Sequence, residues 1–94
     1  MTPAAGEKAF LRAAVAAIPR IVEIVCAFPP DDQAGALETA ERHFMKAALA
    51  FGCTEIAARS RVSAVMGRLR RRVEDQQISE KKLRALLNRL TARD

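Results

Sequence analysis

Tryptophan and tyrosine are absent from this 94-residue chain, histidine occurs once, cysteine twice, and glycine and proline four times each. Each shortage closes a class of function. The only aromatics are Phe10, Phe28, Phe44 and Phe51, none of them in the basic C-terminal half, so the stacking platform that single-stranded nucleic acid requires is missing. Gly6, Gly35, Gly52 and Gly67 are scattered, which excludes a glycine-rich phosphate loop. Cys26 and Cys53 form no Cys-x-x-Cys pair, and a single histidine does not complete a familiar zinc set with them. Two isolated thiols suit a reducing, cytoplasmic setting. His43 has only Glu38, Glu41 and Cys53 near it in sequence, with no catalytic motif around them, and reads as an edge histidine. A non-enzymatic protein is expected, with no cofactor, no metal and no small-molecule substrate implied.

A long apolar run is also missing. The stretch from Phe10 to Phe28 is interrupted by Arg12, Pro19, Arg20 and Glu23. One arginine at the centre of a membrane span costs about 2.5–3.5 kcal/mol. Ala13–Ile18 is too short for a signal-peptide apolar region and leads into Pro19-Arg20. The segment therefore reads as a helix of the folded domain, and a membrane partner is not expected.

Helix formers make up much of what is present. Half of the residues are hydrophobic, many of them alanine. Ala, Leu, Arg and Glu favour helix, β-branched residues thin out after Val25, and no stretch alternates with period two. The expected fold class is all-α: a single domain over 1–94, a compact bundle of about four helices, with the first helix kinked at Pro19.

The first helix should run from Pro3 or Ala4 to Ala27. Phe10, Leu11, Val15, Ile18, Ile21, Val22, Ile24, Val25 and Phe28 cover more than half of its circumference, too wide a stripe for one neighbouring helix. It calls for a central position in the bundle or an intermolecular interface. Pro19 removes a helical hydrogen bond and predicts a kink near Val15–Ile18. Pro29-Pro30-Asp31-Asp32 ends the helix, with Asp31 or Asp32 as cap of the next. The second helix is predicted over Asp32–Phe51, burying Leu37, Ala40, Phe44, Ala47, Ala48 and Phe51, and stopped by a left-handed Gly52. Thr54 caps a third helix over Glu55–Asp75, whose narrow stripe is Ala58, Val62, Val65, Met66, Leu69 and Val73. Gln76-Gln77-Ile78-Ser79 reads as a break. Ser79 would then cap a fourth helix over Glu80–Ala92, with Ile78 stapled on Leu83. Its seam is Leu83, Leu86, Leu87 and Leu90, surrounded by Lys81, Lys82, Arg84, Arg89 and Arg93.

Charge divides the chain. Residues 1–55 carry 5 Lys/Arg against 7 Asp/Glu, and residues 56–94 carry 11 against 4. A basic half suits an acidic partner. Glu55-Ile56-Ala57 followed by Val62-Ser63 resembles the helix-turn-helix of sigma-factor region-four and response-regulator domains, and the run Arg68, Arg70, Arg71, Arg72 resembles the end of its recognition helix. Three departures favour one uninterrupted helix instead. Arg61 stands where the turn usually has glycine, Val65 and Leu69 lie two residues too close to Ser63, and the apolar stripe continues in register.

Two expectations about function follow. In the first, slightly favoured, a nucleic-acid-associated regulatory or accessory protein contacts phosphate through Arg61, Arg68, Arg71 and Arg72. In the alternative, a protein-interaction module, a homo-oligomer or a small accessory subunit, uses Phe10, Leu11, Val15, Ile18, Ile21, Val22 and Val25 of the first helix.

Overall fold

The computed structural model describes residues 3–92; Arg93 lies outside the described residues. Three helices follow one another: α1 (Pro3–Ala27), α2 (Pro30–Ala50) and α3 (Glu55–Thr91). Each packs against the other two. The all-α class is as expected from propensity and period, but the helix count is not: the described residues form three helices, not four.

The missing boundary lies at Gln76–Ser79, which is continuous helix inside the 37 residues of α3. None of those four residues is glycine or proline, so nothing forces the backbone out of helical geometry. Their side chains hold the helix straight. The Gln77 side-chain amide donates to the Gln33 carbonyl oxygen, and Gln33 donates to the Phe28 carbonyl at 3.1 Å, which ties α3 to the α1–α2 turn. Gln76 Nε2 donates to Glu80 Oε1 one turn on, at 3.5 Å. Ser79 is therefore no cap, and no staple forms, since Ile78 and Leu83 are both exposed.

The expected kink at Pro19 is likewise absent. The α1 helix runs through it without a break. Pro19 sits on the exposed side, and Phe10, Ala14, Ile18, Val22 and Val25, on both sides of the proline, are buried along one line. Packing of that line aligns the two halves despite one lost hydrogen bond.

The ends of α2 obey local chemistry. Its start is earlier than the expected Asp32: Pro29 is the N-cap and Pro30 the first helical residue, where a missing N–H costs nothing. Asp31 and Asp32 lie in the first turn, favourable to the helix dipole, and make no side-chain cap. At the other end Gly52 takes φ 96°, as expected of a left-handed stop. The Cys53 N–H donates to the Ala48 carbonyl at 3.1 Å and the Gly52 N–H to the Leu49 carbonyl at 3.0 Å, a Schellman pair. Thr54 then caps α3 by accepting from the Ala57 N–H at 3.2 Å.

The core is one cluster. The α3 stripe Ala58, Val62, Val65, Met66, Leu69 and Val73 is buried throughout, and α1 supplies Phe10, Ala14, Ile18, Val22 and Val25. From α2 only Phe44 and Ala48 are fully buried. Phe10 packs edge-on against Phe44, ring centroids 6.4 Å apart, and lies 6.3 Å from Phe51. Near that corner α1 and the end of α2 touch through backbone: a Cβ at Gly6 would run into the Phe51 carbonyl oxygen. The radius of gyration is 17.1 Å, against about 12 Å for a compact chain of this length, and the long axis is 65 Å. The excess is α3, which continues past the bundle.

Candidate functional site

Beyond the Gln77–Gln33 tie, α3 carries residues 78–91 away from α1 and α2 as a helical arm about 21 Å long. Its composition explains its helicity: Glu, Lys, Leu, Arg and Ala dominate, and α3 is already nucleated in the bundle. None of the described residues covers its apolar face. Leu83, Leu86, Leu87 and Leu90 are 56%, 50%, 52% and 57% exposed. Their i, i+3, i+4, i+7 spacing places all four on one stripe. Lys81, Lys82, Arg84 and Arg89 surround it and are exposed as well.

A second apolar feature lies on the face formed by α1 and α2 alone. An open groove of about 520 Å³ runs between them. Phe10 and Phe44 lie at its base, Ala13 and Ala17 on one wall face Ala40 and Ala47 on the other, and Ile21, Ile24 and Phe28 lie at the end nearest the α1–α2 turn. The groove exists because these helices meet through small residues there: alanines leave depth that larger side chains would fill. No residue of α3 lines it.

The residues expected to form a protein interface on α1 are divided by the structure. Phe10, Ile18, Val22 and Val25 are buried in the chain's own core. Leu11 and Ile21 are half-buried against it, and Val15 is exposed. The wide stripe of α1 is thus explained mainly by its central position. What stays open is its outer edge, where Ile21 borders Ile24 and Phe28.

The arginines expected to touch phosphate are also divided. Arg61 faces Glu7 of α1 at 3.5 Å, a partly exposed pair that ties the start of α3 to the start of α1 and is worth about 0–1 kcal/mol. Arg68, Arg71 and Arg72 are exposed on α3. Arg68, Arg71 and Arg72, at i, i+3 and i+4, share one face of α3. The helix-turn-helix resemblance is not carried by geometry, because Glu55–Met66 is uninterrupted helix.

Reactive chemistry is poorly served. His43 is exposed at the groove edge, and no set of three or more metal-ligating side chains gathers among the described residues. Cys53 is buried and Cys26 half-buried, both free. Burial, and secondarily the Glu80 carboxylate, pushes the Cys26 thiol above its ordinary value, which disfavours the nucleophilic thiolate. No helix among the described residues is long and apolar enough to cross a membrane.

Sequence reasoning found the leucine seam but assigned it to a fourth helix of the core. It missed the groove. The available signal was the run of alanines at helical spacing, Ala13 and Ala17 on α1 with Ala36 and Ala40 on α2. Comparison with family models, curated proteins and solved structures returns no match for this chain.

Proposed function

We propose that this chain is a small non-enzymatic protein-interaction module, acting in a reducing compartment such as the cytoplasm. One observation carries this: four leucines, each half exposed or more, stand in register on a helical arm, and no described residue covers them. Burying one such side chain is worth about 1.5–3 kcal/mol, so an uncovered row of four favours association. The open α1–α2 groove is a second apolar surface of the same kind. The half-buried Cys26 and buried Cys53, both unpaired, suit the compartment.

A nucleic-acid partner is the second reading, supported by the exposed Arg68, Arg71 and Arg72. It is weaker because Arg61 already has a carboxylate partner.

One experiment separates them. The full chain, an L83D/L87D variant and an R68A/R71A/R72A variant are compared by light scattering alone and by capture from a cell extract. Self-association or protein capture by the wild type and the arginine variant, lost in L83D/L87D, is the expected result. Retention of nucleic acid that weakens with salt and is lost only in the arginine variant would overturn it. So would a wild type that neither self-associates nor differs from L83D/L87D in what it captures.

A further inference from the structure

Resting on that interaction reading, we infer that the partner is a second copy of this chain, and that two copies form a closed dimer in which the leucine arm of each lies in the α1–α2 groove of the other.

Complementary shape is the first ground. The arm presents large side chains, Leu83, Leu86, Leu87 and Leu90, from one face of a helix. The groove presents small ones, with Ala13, Ala17, Ala40 and Ala47 along its walls. Leucine knobs entering alanine-lined holes are the pairing by which helices interdigitate. The lengths agree. Residues 78–91 span about 21 Å, and the groove from Phe10 to Phe28 along α1 spans about 27 Å.

Charge is the second ground, and it selects the groove over another arm. Residues 80–91 hold Lys81, Lys82, Arg84 and Arg89 against Glu80, a net +3. The groove lining carries no charged side chain; around it, α1 and α2 together hold Glu7, Glu23, Asp31, Asp32, Glu38 and Glu41 against Lys8, Arg12, Arg20, Arg42 and Lys46, a net −1. An arm laid against another arm would set +3 beside +3, whereas an arm laid between α1 and α2 meets a small net charge of opposite sign.

Closure is the third. The groove opens on the face of α1 and α2 away from α3, and the arm prolongs the axis of α3 beyond the α1–α2 turn. A two-fold axis between two copies, with their turn ends meeting, sets each α1–α2 layer between its own α3 and the other copy's arm. Both contacts then form at once, and the assembly stops at two. A helix about 21 Å long and about 10 Å across offers about 330 Å² on the half of its surface that enters a groove. Each copy contributes an arm strip and a groove strip, together about 650 Å² per partner, at the lower end of standard interface sizes.

The test is light scattering and sedimentation of the full chain at micromolar concentration, alongside an arm variant, L83D/L87D, and a groove variant, I24K/T39K. All four substituted residues are exposed, and helicity by circular dichroism checks that each variant folds; L83S/L87S serves if the aspartates disturb the arm. A wild-type dimer that both variants weaken at least about tenfold is the expected outcome. A groove variant that dimerises as tightly as wild type, with only the arm variant monomeric, means arm pairs with arm. That overturns the inference and leaves the interaction reading standing. An arm variant that stays dimeric, oligomers that grow past two, or a monomeric wild type each overturn it as well. In the last case the interaction reading itself is decided separately, by whether capture depends on Leu83 and Leu87.

Discussion

The two halves of α3 are built on one pattern and meet opposite fates. Val62 and Leu69 are 1% and 0% exposed, while Leu83 and Leu90, spaced from them by whole seven-residue steps, are 56% and 57% exposed. The intervening member of the series is Gln76. The first half lies against α1 and α2; the second lies past their ends, because α2 begins at Pro30 and Gln77 already reaches Gln33. An amphipathic stripe therefore specifies a face that needs covering. It does not specify what covers it. In the first half the cover is intramolecular; in the second half no described residue supplies it.

The largest effect expected from breaking this contrast is at matched leucines. Leu69→Ala should lower the unfolding free energy by about 3 kcal/mol, since it opens a cavity in a closed core. Leu87→Ala, measured by urea unfolding at a concentration below any self-association, should change it by less than about 0.5 kcal/mol. Equal losses would erase the distinction between the halves. Next, Gly6→Ala should cost about 2 kcal/mol in the same measurement, because the new methyl meets the rigid Phe51 carbonyl. That loss belongs to the bundled half alone, so hydrogen exchange of the amides after Glu80 should stay as fast as in wild type. The smallest effect sharpens the boundary. Gln77→Ala removes the side-chain bond to Gln33 and should cost about 1 kcal/mol. Fast amide exchange should then spread from the arm back toward Val73, and an unchanged exchange map would place the boundary elsewhere.

Much of the bundled half was legible from the residues. The stripe Ala58–Val73 is buried as its spacing implies, Thr54 caps α3, and Gly52 ends α2 in left-handed geometry, each a local matter of side-chain chemistry or sterics. The errors came where local signals are weak. Ser79 is a good cap only if the backbone before it leaves the helix, and Gln76–Ile78 give it no cause to do so. Pro19 costs one hydrogen bond, but the buried line from Phe10 to Val25 straddles it and keeps α1 whole. The groove could not be seen from one helix at a time, because it belongs to two walls that only packing brings together.

By itself the sequence determined the helical class, the polarity of each helical face, the end of α2 and the start of α3, and the opposition between an acidic first half and a basic second half. Those properties follow from interactions a few residues apart or from composition. Only the tertiary structure decided that α3 stays straight past the bundle, that most of the apolar face of α1 is consumed inside, and that the four leucines of the arm remain open to solvent beside an unfilled groove. The reason is that burial depends on where other helices end. A leucine at a helical spacing carries the same local signal whether or not another helix reaches it.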